Sequence, residues 1–212
     1  MNNDLQFILY GLPVLLISLT FHEIAHGFTA YKLGDLTAKE DGRLSLNPLK
    51  HIDPLGLIVL IVARIGWAKP VYVNPRNLNN PKKDMAIISL AGPMTNFVLS
   101  ILFFIPLFAF EIMETPPNIP QNFLFFIRTG FYLNIVLAVF NLLPLPPLDG
   151  SKILGSFLPD RLYSKFMRLD SRIGFVLLLL LSITGMLSKI LEPMIESVMF
   201  LYIYVASKII GL

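Results

Sequence analysis

Cysteine is absent from the 212-residue sequence. Disulfide bonds, thiolate metal ligands and a cysteine nucleophile are therefore excluded, and the redox compartment cannot be read from the chain. Charged residues are also scarce, at 15%, whereas about a quarter of a typical soluble domain is charged. With 55% hydrophobic residues and a mean hydropathy of +0.69, the composition predicts an integral membrane protein.

The excess of positive charge is small, at +3, with a pI of about 9.1. The basic residues flank apolar runs, so membrane topology explains them better than nucleic-acid binding, and no nucleic-acid partner is expected. The N-terminal residues "MNND" lack the basic stretch of a signal peptide, and no small-residue cleavage site follows. We therefore expect the first apolar run to be retained.

Long apolar runs predict the fold class, an all-α membrane protein that forms a single domain over residues 1–212. A bilayer-crossing helix needs about 17–25 residues, and five runs reach that length. A shorter run at 55–66 predicts a re-entrant or buried hairpin, and the last two runs, separated only by "LEP", predict a C-terminal helical hairpin over about 173–211. Two polar stretches, 43–47 and 70–74, predict short cytoplasmic-side strands. The five runs are 5–28, 85–110, 123–143, 173–190 and 194–211.

The basic residues also predict an orientation in the membrane. Most of the 17 Lys and Arg residues lie in segments 32–84 and 144–172, and loop 111–122 has none. The positive-inside rule places the two basic segments in the cytoplasm and the loop outside. Five crossings then put the N-terminus outside and the C-terminus in the cytoplasm of a multi-pass cell-membrane protein.

Two of the three histidines flank a glutamate at the end of the first apolar run, in "HEIAH" (residues 22–26). Residues four apart share one helix face, so His22 and His26 can bind one metal ion. Glu23 lies beside them, where it can take a proton from metal-activated water. Ionisable groups inside a membrane span are costly and usually functional. The motif therefore predicts a zinc site.

A zinc site of this kind needs a third ligand. A third histidine six residues after the motif would fall at position 32, which is Lys32, so that spacing is excluded. Asp149, in "NLLPLPPLDG" (141–150), is the strongest candidate, because topology places it at the same membrane level as the histidines. Prolines in that segment forbid a regular helix, and irregular backbone at membrane depth must be buried or line a cavity. Weaker candidates are Glu40, Asp41 and His51.

"HEIAH" and "NLLPLPPLDG" together resemble the motifs of the site-2 protease family of intramembrane zinc metalloproteases. "AGPMTNF" (91–97) resembles that family's Gly-Pro-x-x-Asn segment. "GRLSLNPLKHIDPLG" (42–56) resembles the stretch after the first motif in small bacterial and archaeal members. The resemblance covers about residues 10–155. We expect neither the PDZ-like insertion nor the CBS domain that larger members carry.

The resemblance implies a zinc-dependent endopeptidase that cuts membrane-embedded protein substrates near the cytoplasmic side of the bilayer. His22, His26 and Asp149 would bind one Zn²⁺ and Glu23 would be the general base. Asn141 would lie near the substrate or the oxyanion, and Asn96 would be a supporting residue. The resemblance implies no particular oligomeric state.

Two other functions are compatible with these motifs. A pseudoprotease would bind membrane proteins without cutting them, but it would not need to keep Glu23. A metal transporter would spread its polar groups over several spans and often shows internal repeats. Here the polar groups cluster at one membrane side and no repeat is found.

Overall fold

The computed structural model describes residues 3–63, 66–113, 118–167 and 171–211, and these residues are almost entirely helical. A π-helical turn (Phe7–Gly11) joins the first two helices, and short 3-10 turns cover Pro48–Lys50 and Pro75–Asn77. In chain order the helices are α1 (Asn3–Gln6), α2 (Leu12–Lys32), α3 (Thr37–Glu40), α4 (Pro54–Ala63), α5 (Pro81–Ile112), α6 (Gln121–Asn141), α7 (Asp149–Phe157), α8 (Asp160–Met167), α9 (Ser171–Ile183) and α10 (Met186–Ile210).

Four helical segments of the described chain are long and apolar enough to cross a membrane. They correspond to four of the five predicted runs, the first, second, third and last. Each exceeds the roughly 20 residues that a bilayer requires. The segments are Phe7–Lys32, Pro81–Ile112, Gln121–Asn141 and Met186–Ile210.

The fourth predicted span, 173–190, is not confirmed, because the chain turns earlier than the sequence suggests. Gly185, at φ +70°, ends the turn that separates α9 from α10. Helix α9 therefore has only 13 residues, about 20 Å of helix, which is too short to cross. The predicted turn at "LEP" is wrong: α10 continues through it, with Pro193 inside the helix.

The short strands predicted at 43–47 and 70–74 do not form. Across the described residues the only β pairing is a single antiparallel bridge between Ile52 and Ala68. Segment 43–47 has bends at Leu44 and Leu46 and is otherwise irregular, and segment 70–74 is irregular, without a partner strand. Its backbone groups are instead bound by side chains, which local β propensity does not reveal.

The predicted hairpin at 55–66 consists of helix α4 and a following segment that runs back against it. A Cβ placed on Gly56 would lie 2.3 Å from the carbonyl oxygen of Trp67, so the segment at Trp67 packs directly against the helix. Residues 64–65 lie outside the described residues. Re-entry of this hairpin into the membrane stays a prediction.

Helix α5 is the central element, packed against α2, α6 and α7. Its buried residues recur every three or four positions and are mostly small or polar, whereas many of its apolar side chains are exposed. This pattern suits a membrane protein, in which small residues allow close helix packing and polar groups bond within the bundle. The buried residues are Asp84, Ile88, Ser89, Gly92, Pro93, Asn96 and Ser100.

The proline-rich segment after α6 positions Asp149 against the helix bundle. Helix α6 ends at Asn141, and residues 142–148 form turns up to the first residue of α7, which is Asp149. A Cβ on Gly150 would lie 2.1 Å from the carbonyl oxygen of Leu142. Only glycine allows so close a return of the chain.

Candidate metal centre

Three buried side chains meet where α2 faces the start of α7. The Nε2 atoms of His22 and His26 lie 3.0 Å apart. Oδ2 of Asp149 lies 3.3 Å from Nε2 of His22 and 3.0 Å from Nε2 of His26. Among the described residues, this is the group of three whose ligand atoms converge closely enough to hold a metal ion.

The other ring nitrogen of each histidine is held by the protein. Nδ1 of His26 lies 2.7 Å from the carbonyl oxygen of Ile88, which can only accept, so this nitrogen carries the proton. Nδ1 of His22 donates to Oδ1 of Asn96 at 2.6 Å. Both Nε2 atoms therefore present lone pairs, the arrangement found in histidines that bind metals.

The arrangement of these atoms fits a cation between them. Two Nε2 lone pairs and one carboxylate oxygen converge within about 3 Å in a buried place, and they would repel one another without a positive charge. Zinc–nitrogen bonds of about 2.0–2.1 Å in a tetrahedron imply ligand separations of roughly 3.3 Å. Two histidines and one carboxylate also leave a fourth position open, as in catalytic zinc sites.

Gly92 keeps the centre free of side chains from α5. A Cβ at this position would lie 2.5 Å from Nε2 of His26 and 2.6 Å from Nε2 of His22. No neighbour on the ligand side can yield without displacing a histidine. Glycine is therefore required here for space rather than for backbone conformation.

Lys152 provides a charge beside the carboxylate of Asp149. Its Nζ lies 3.4 Å from Oδ1 of Asp149, the oxygen that does not face the histidines. One carboxylate oxygen of Asp149 therefore faces the histidines, and the other faces the ammonium group of Lys152. This pairing favours binding of a metal through a single oxygen.

Glu23, between the two histidines in sequence, is buried and is bound by the backbone of a distant segment. Its Oε2 accepts a hydrogen bond from the backbone N–H of Val71 at 2.7 Å. No residue of the sequence marks this contact, because a backbone N–H donor is common to every residue type except proline.

The remaining candidate residues lie apart from the three converging side chains. Glu40 and Asp41 are exposed at the end of α3. His51 is buried and its Nε2 bonds to the carbonyl oxygen of Ser45 at 2.8 Å. The side chain of Asn141 donates to the carbonyl oxygen of Leu137 at 2.9 Å, and no contact between it and the three side chains is found among the described residues.

Asn134 is a site residue that sequence analysis missed. Asn96 Nδ2 donates to Oδ1 of Asn134 at 3.0 Å, and Asn134 Nδ2 donates to the carbonyl oxygen of Gly130 at 2.8 Å. This chain fixes the Asn96 amide with its oxygen toward His22. The signal was a fully buried amide inside an apolar span, where a polar residue usually has a function.

Comparisons with known proteins agree with this chemistry. The model of peptidase family M50 matches residues 111–181. A Bacillus subtilis (strain 168) protein with the provisional name zinc metalloprotease YwhC is 40% identical over 190 residues, which cover 89% of this chain and 86% of the relative. A Mycolicibacterium smegmatis protein with the provisional name zinc metalloprotease Rip2 is 35% identical, covering 82% of this chain and 66% of the relative.

A more distant relative is the zinc metalloprotease MJ0392 of Methanocaldococcus jannaschii. It is 26% identical over 89% of this chain and 46% of its own length. No solved structure matches the chain.

Proposed function

Since the chain belongs to peptidase family M50, the site-2 protease family, and is a zinc metalloendopeptidase, we propose that it cuts membrane-embedded protein substrates near the cytoplasmic side of the membrane. The observation that carries the proposal is the convergence of His22, His26 and Asp149 beside the buried Glu23. The candidate ligands lie in or next to helices long enough to span a bilayer. We expect a substrate held within the membrane to reach a site at this position.

In this proposal the three converging side chains hold the zinc ion. When bound, zinc polarises a substrate carbonyl and lowers the pKa of a water molecule. Glu23 takes the proton of the attacking water and passes it to the leaving amine. The hydrogen bond from Val71 leaves Oε1 of Glu23 for this transfer.

Asn141 is the second catalytic residue of the proposal, as a donor to the developing oxyanion. Its amide now bonds within its own helix, to Leu137. It must exchange that bond for one to the substrate.

The proposed orientation has segment 32–84 in the cytoplasm and the N-terminus outside, following the positions of the basic residues. Four crossings place both ends of the chain on the same side, so we propose that the C-terminus also lies outside. This differs from the expectation based on five crossings. The chain acts as one membrane domain in the cell membrane, with the bilayer and a membrane-spanning protein as its partners.

The assignment of roles can be tested by measuring zinc content and cleavage in the same purified preparations. We expect about one zinc per chain in the wild type, and loss of that zinc in both His22→Ala and Asp149→Ala. Zinc retained in Asp149→Ala would contradict the ligand set.

Glu23→Gln should retain zinc, because the glutamate is not a ligand, while cleavage of a single-span reporter peptide falls by about 10²- to 10⁴-fold for loss of the base. Cleavage at the wild-type rate would exclude Glu23 as the base. Zinc binding without cleavage of any reporter by the wild type would favour a pseudoprotease. Zinc flux into vesicles that contain the protein would favour a transporter.

A further inference from the structure

One irregular segment, residues 69–77, crosses Glu23 and is named here the strap. It contains no strand, although its sequence "KPVYVNPRN" is rich in β-branched residues. In the middle of its path, Val71 donates its backbone N–H to Oε2 of Glu23. The Val71 side chain also lies close to Gly27 of α2, since a Cβ on that glycine would be 3.3 Å from Val71 Cγ1.

Arg43 binds the first end of the strap. Its guanidinium group donates to the carbonyl oxygens of Lys69 at 2.5 Å and Pro70 at 3.2 Å, and also to the carbonyl oxygen of Lys50. The residue is buried, at 8% exposure, and has no acidic partner among the described residues. A buried guanidinium group that donates its hydrogen bonds to backbone carbonyl oxygens fixes the path of the chain.

Asp35 binds the other end of the strap. Its carboxylate accepts from the backbone N–H of Asn74 at 2.8 Å and from the side-chain amide of Asn77 at 2.8 Å. It is fully buried just beyond α2, the helix that carries Glu23. The two ends of the strap are therefore held by opposite charges. The Arg43 guanidinium group binds carbonyl oxygens at the first end, and the Asp35 carboxylate binds N–H groups at the other end.

We propose that Arg43 is a positioning residue for the catalytic base. It holds Lys69 and Pro70 so that the next N–H, that of Val71, fixes the carboxylate of Glu23 with its other oxygen free to take a proton. This inference rests on the proposed function, because it takes Glu23 as the base. It also gives a role to the "GRLSL" part of the sequence, which the metal centre itself does not use.

A lysine at position 43 could not reproduce the hydrogen-bond geometry of Arg43. A guanidinium group offers several N–H donors in a planar fork, whereas an ammonium group is a compact charge on a flexible stem. Arg43→Lys keeps the charge but cannot bind three carbonyl oxygens from two segments in the same way. The position of Val71 should therefore relax even though the cation is retained.

Hydrogen exchange tests the contact with Glu23 independently of activity. In Glu23→Ala the acceptor is gone, so the Val71 amide should exchange faster, by about tenfold or more for loss of roughly 1.4 kcal/mol of protection. The neighbouring Tyr72 amide, which has no partner among the described residues, is the internal reference. Unchanged exchange at Val71 would overturn the contact. Arg43→Lys should accelerate exchange at Val71 in the same way.

Steady-state kinetics with a single-span reporter peptide test the effect on the base. Val71→Pro removes the N–H, and Arg43→Lys loosens the strap; we expect kcat to fall by about 10- to 100-fold, the scale of a small misplacement of a reacting group. KM and zinc content should stay at wild-type values. A merely structural role would instead lower the folded fraction, the zinc content and the activity together.

The matched control is Arg76→Lys, the same exchange at an exposed position of the strap. It should keep kcat within about twofold of the wild type. Wild-type kcat in Val71→Pro and Arg43→Lys would overturn the inference while leaving the proposed function intact. Failure of the wild type, loaded with zinc, to cut any reporter would overturn both.

Discussion

At the scale of single residues, the lack of a side chain at Gly92 leaves the space beside the Nε2 atoms of His22 and His26 open. Gly92 lies where any Cβ would approach both Nε2 atoms to about 2.5 Å. Asn96 and Asn134 then fix the ring of His22 from the opposite side. The ring of His22 is thus held by amide side chains, and the ring of His26 is held by the backbone carbonyl oxygen of Ile88.

Gly92→Ala should abolish zinc binding. The added methyl group would overlap with the ligand nitrogens of His22 and His26, and the surrounding helices are too closely packed for it to move away. Zinc content of the purified protein measures the effect. Ser100→Ala, at a buried position two turns further along α5, should retain its zinc. Full zinc content in Gly92→Ala would show that the ion lies elsewhere.

Asn134→Leu should weaken zinc binding by about 10- to 100-fold, the usual cost of losing an outer partner of a ligand. Without Asn134 the nitrogen of the Asn96 amide keeps only its longer bond to the carbonyl oxygen of Ser18, at 3.4 Å, so the amide is held less firmly with its oxygen toward His22. Competition with a zinc chelator measures the affinity, and the absorption spectrum of the cobalt-substituted protein reports the geometry of the ligands. An affinity and spectrum equal to those of Ser100→Ala would contradict the role of Asn134.

At the scale of elements, the sequence predicts helices well and their connections less well. The apolar runs of α2, α5, α6 and α10 are visible because each exceeds the thickness of a bilayer. Segment 70–74 of the strap was predicted as a strand from its β-branched residues, but Arg43 and Asp35 bind the backbone groups of Pro70 and Asn74 that a partner strand would need. Gly185 was overlooked as the turn between α9 and α10 because the proline of "LEP", Pro193, was the stronger local signal.

The attachment of the strap to Asp35 should depend on pH. Burial alone would raise the pKa of this carboxyl, but hydrogen bonds from Thr37, Asn77 and Asn74 lower it below its ordinary value of 3.8. A lowered pKa in the folded state means that ionised Asp35 stabilises the fold above that value. The contribution is lost as the pH falls from 3.8 toward the lowered pKa.

Asp35→Asn should therefore reduce the thermal midpoint at about pH 7, by an amount that shrinks toward about pH 3. Thermal unfolding of both proteins in the same detergent at both pH values measures the difference. Asp41→Asn, at an exposed position after α3, is the matched control and should change the midpoint little at either pH. A constant difference between Asp35→Asn and the wild type would contradict the attachment through an ionised carboxylate.

At the scale of the whole molecule, the pattern of charge predicts which side each loop faces, but the number of crossings decides where the chain ends. His22, Glu23, His26 and Asp149 were identified from two motifs more than a hundred residues apart. Their convergence follows from the bundle, in which α2 and α7 both pack against α5. Asn134 and Val71 could not be assigned in this way, because their roles exist only through contacts.

Single cysteine variants can determine the orientation without background, because the chain has no cysteine of its own. Asn118→Cys and Ile209→Cys should react with a membrane-impermeant thiol reagent on intact cells. Asp41→Cys should react only after permeabilisation. Protection of Ile209→Cys in intact cells would instead support five crossings and a cytoplasmic C-terminus.

The origin of the three candidate ligands in distant parts of the chain also bears on the order of biosynthesis. In chain order the two histidines of α2 precede Asp149 by more than a hundred residues, and α5 and α6 lie between them. A nascent chain that contains only the two histidines lacks Asp149, the third candidate ligand of the centre. With these three side chains as the ligands, we expect the enzyme to gain catalytic activity only after α5, α6 and Asp149 have been made.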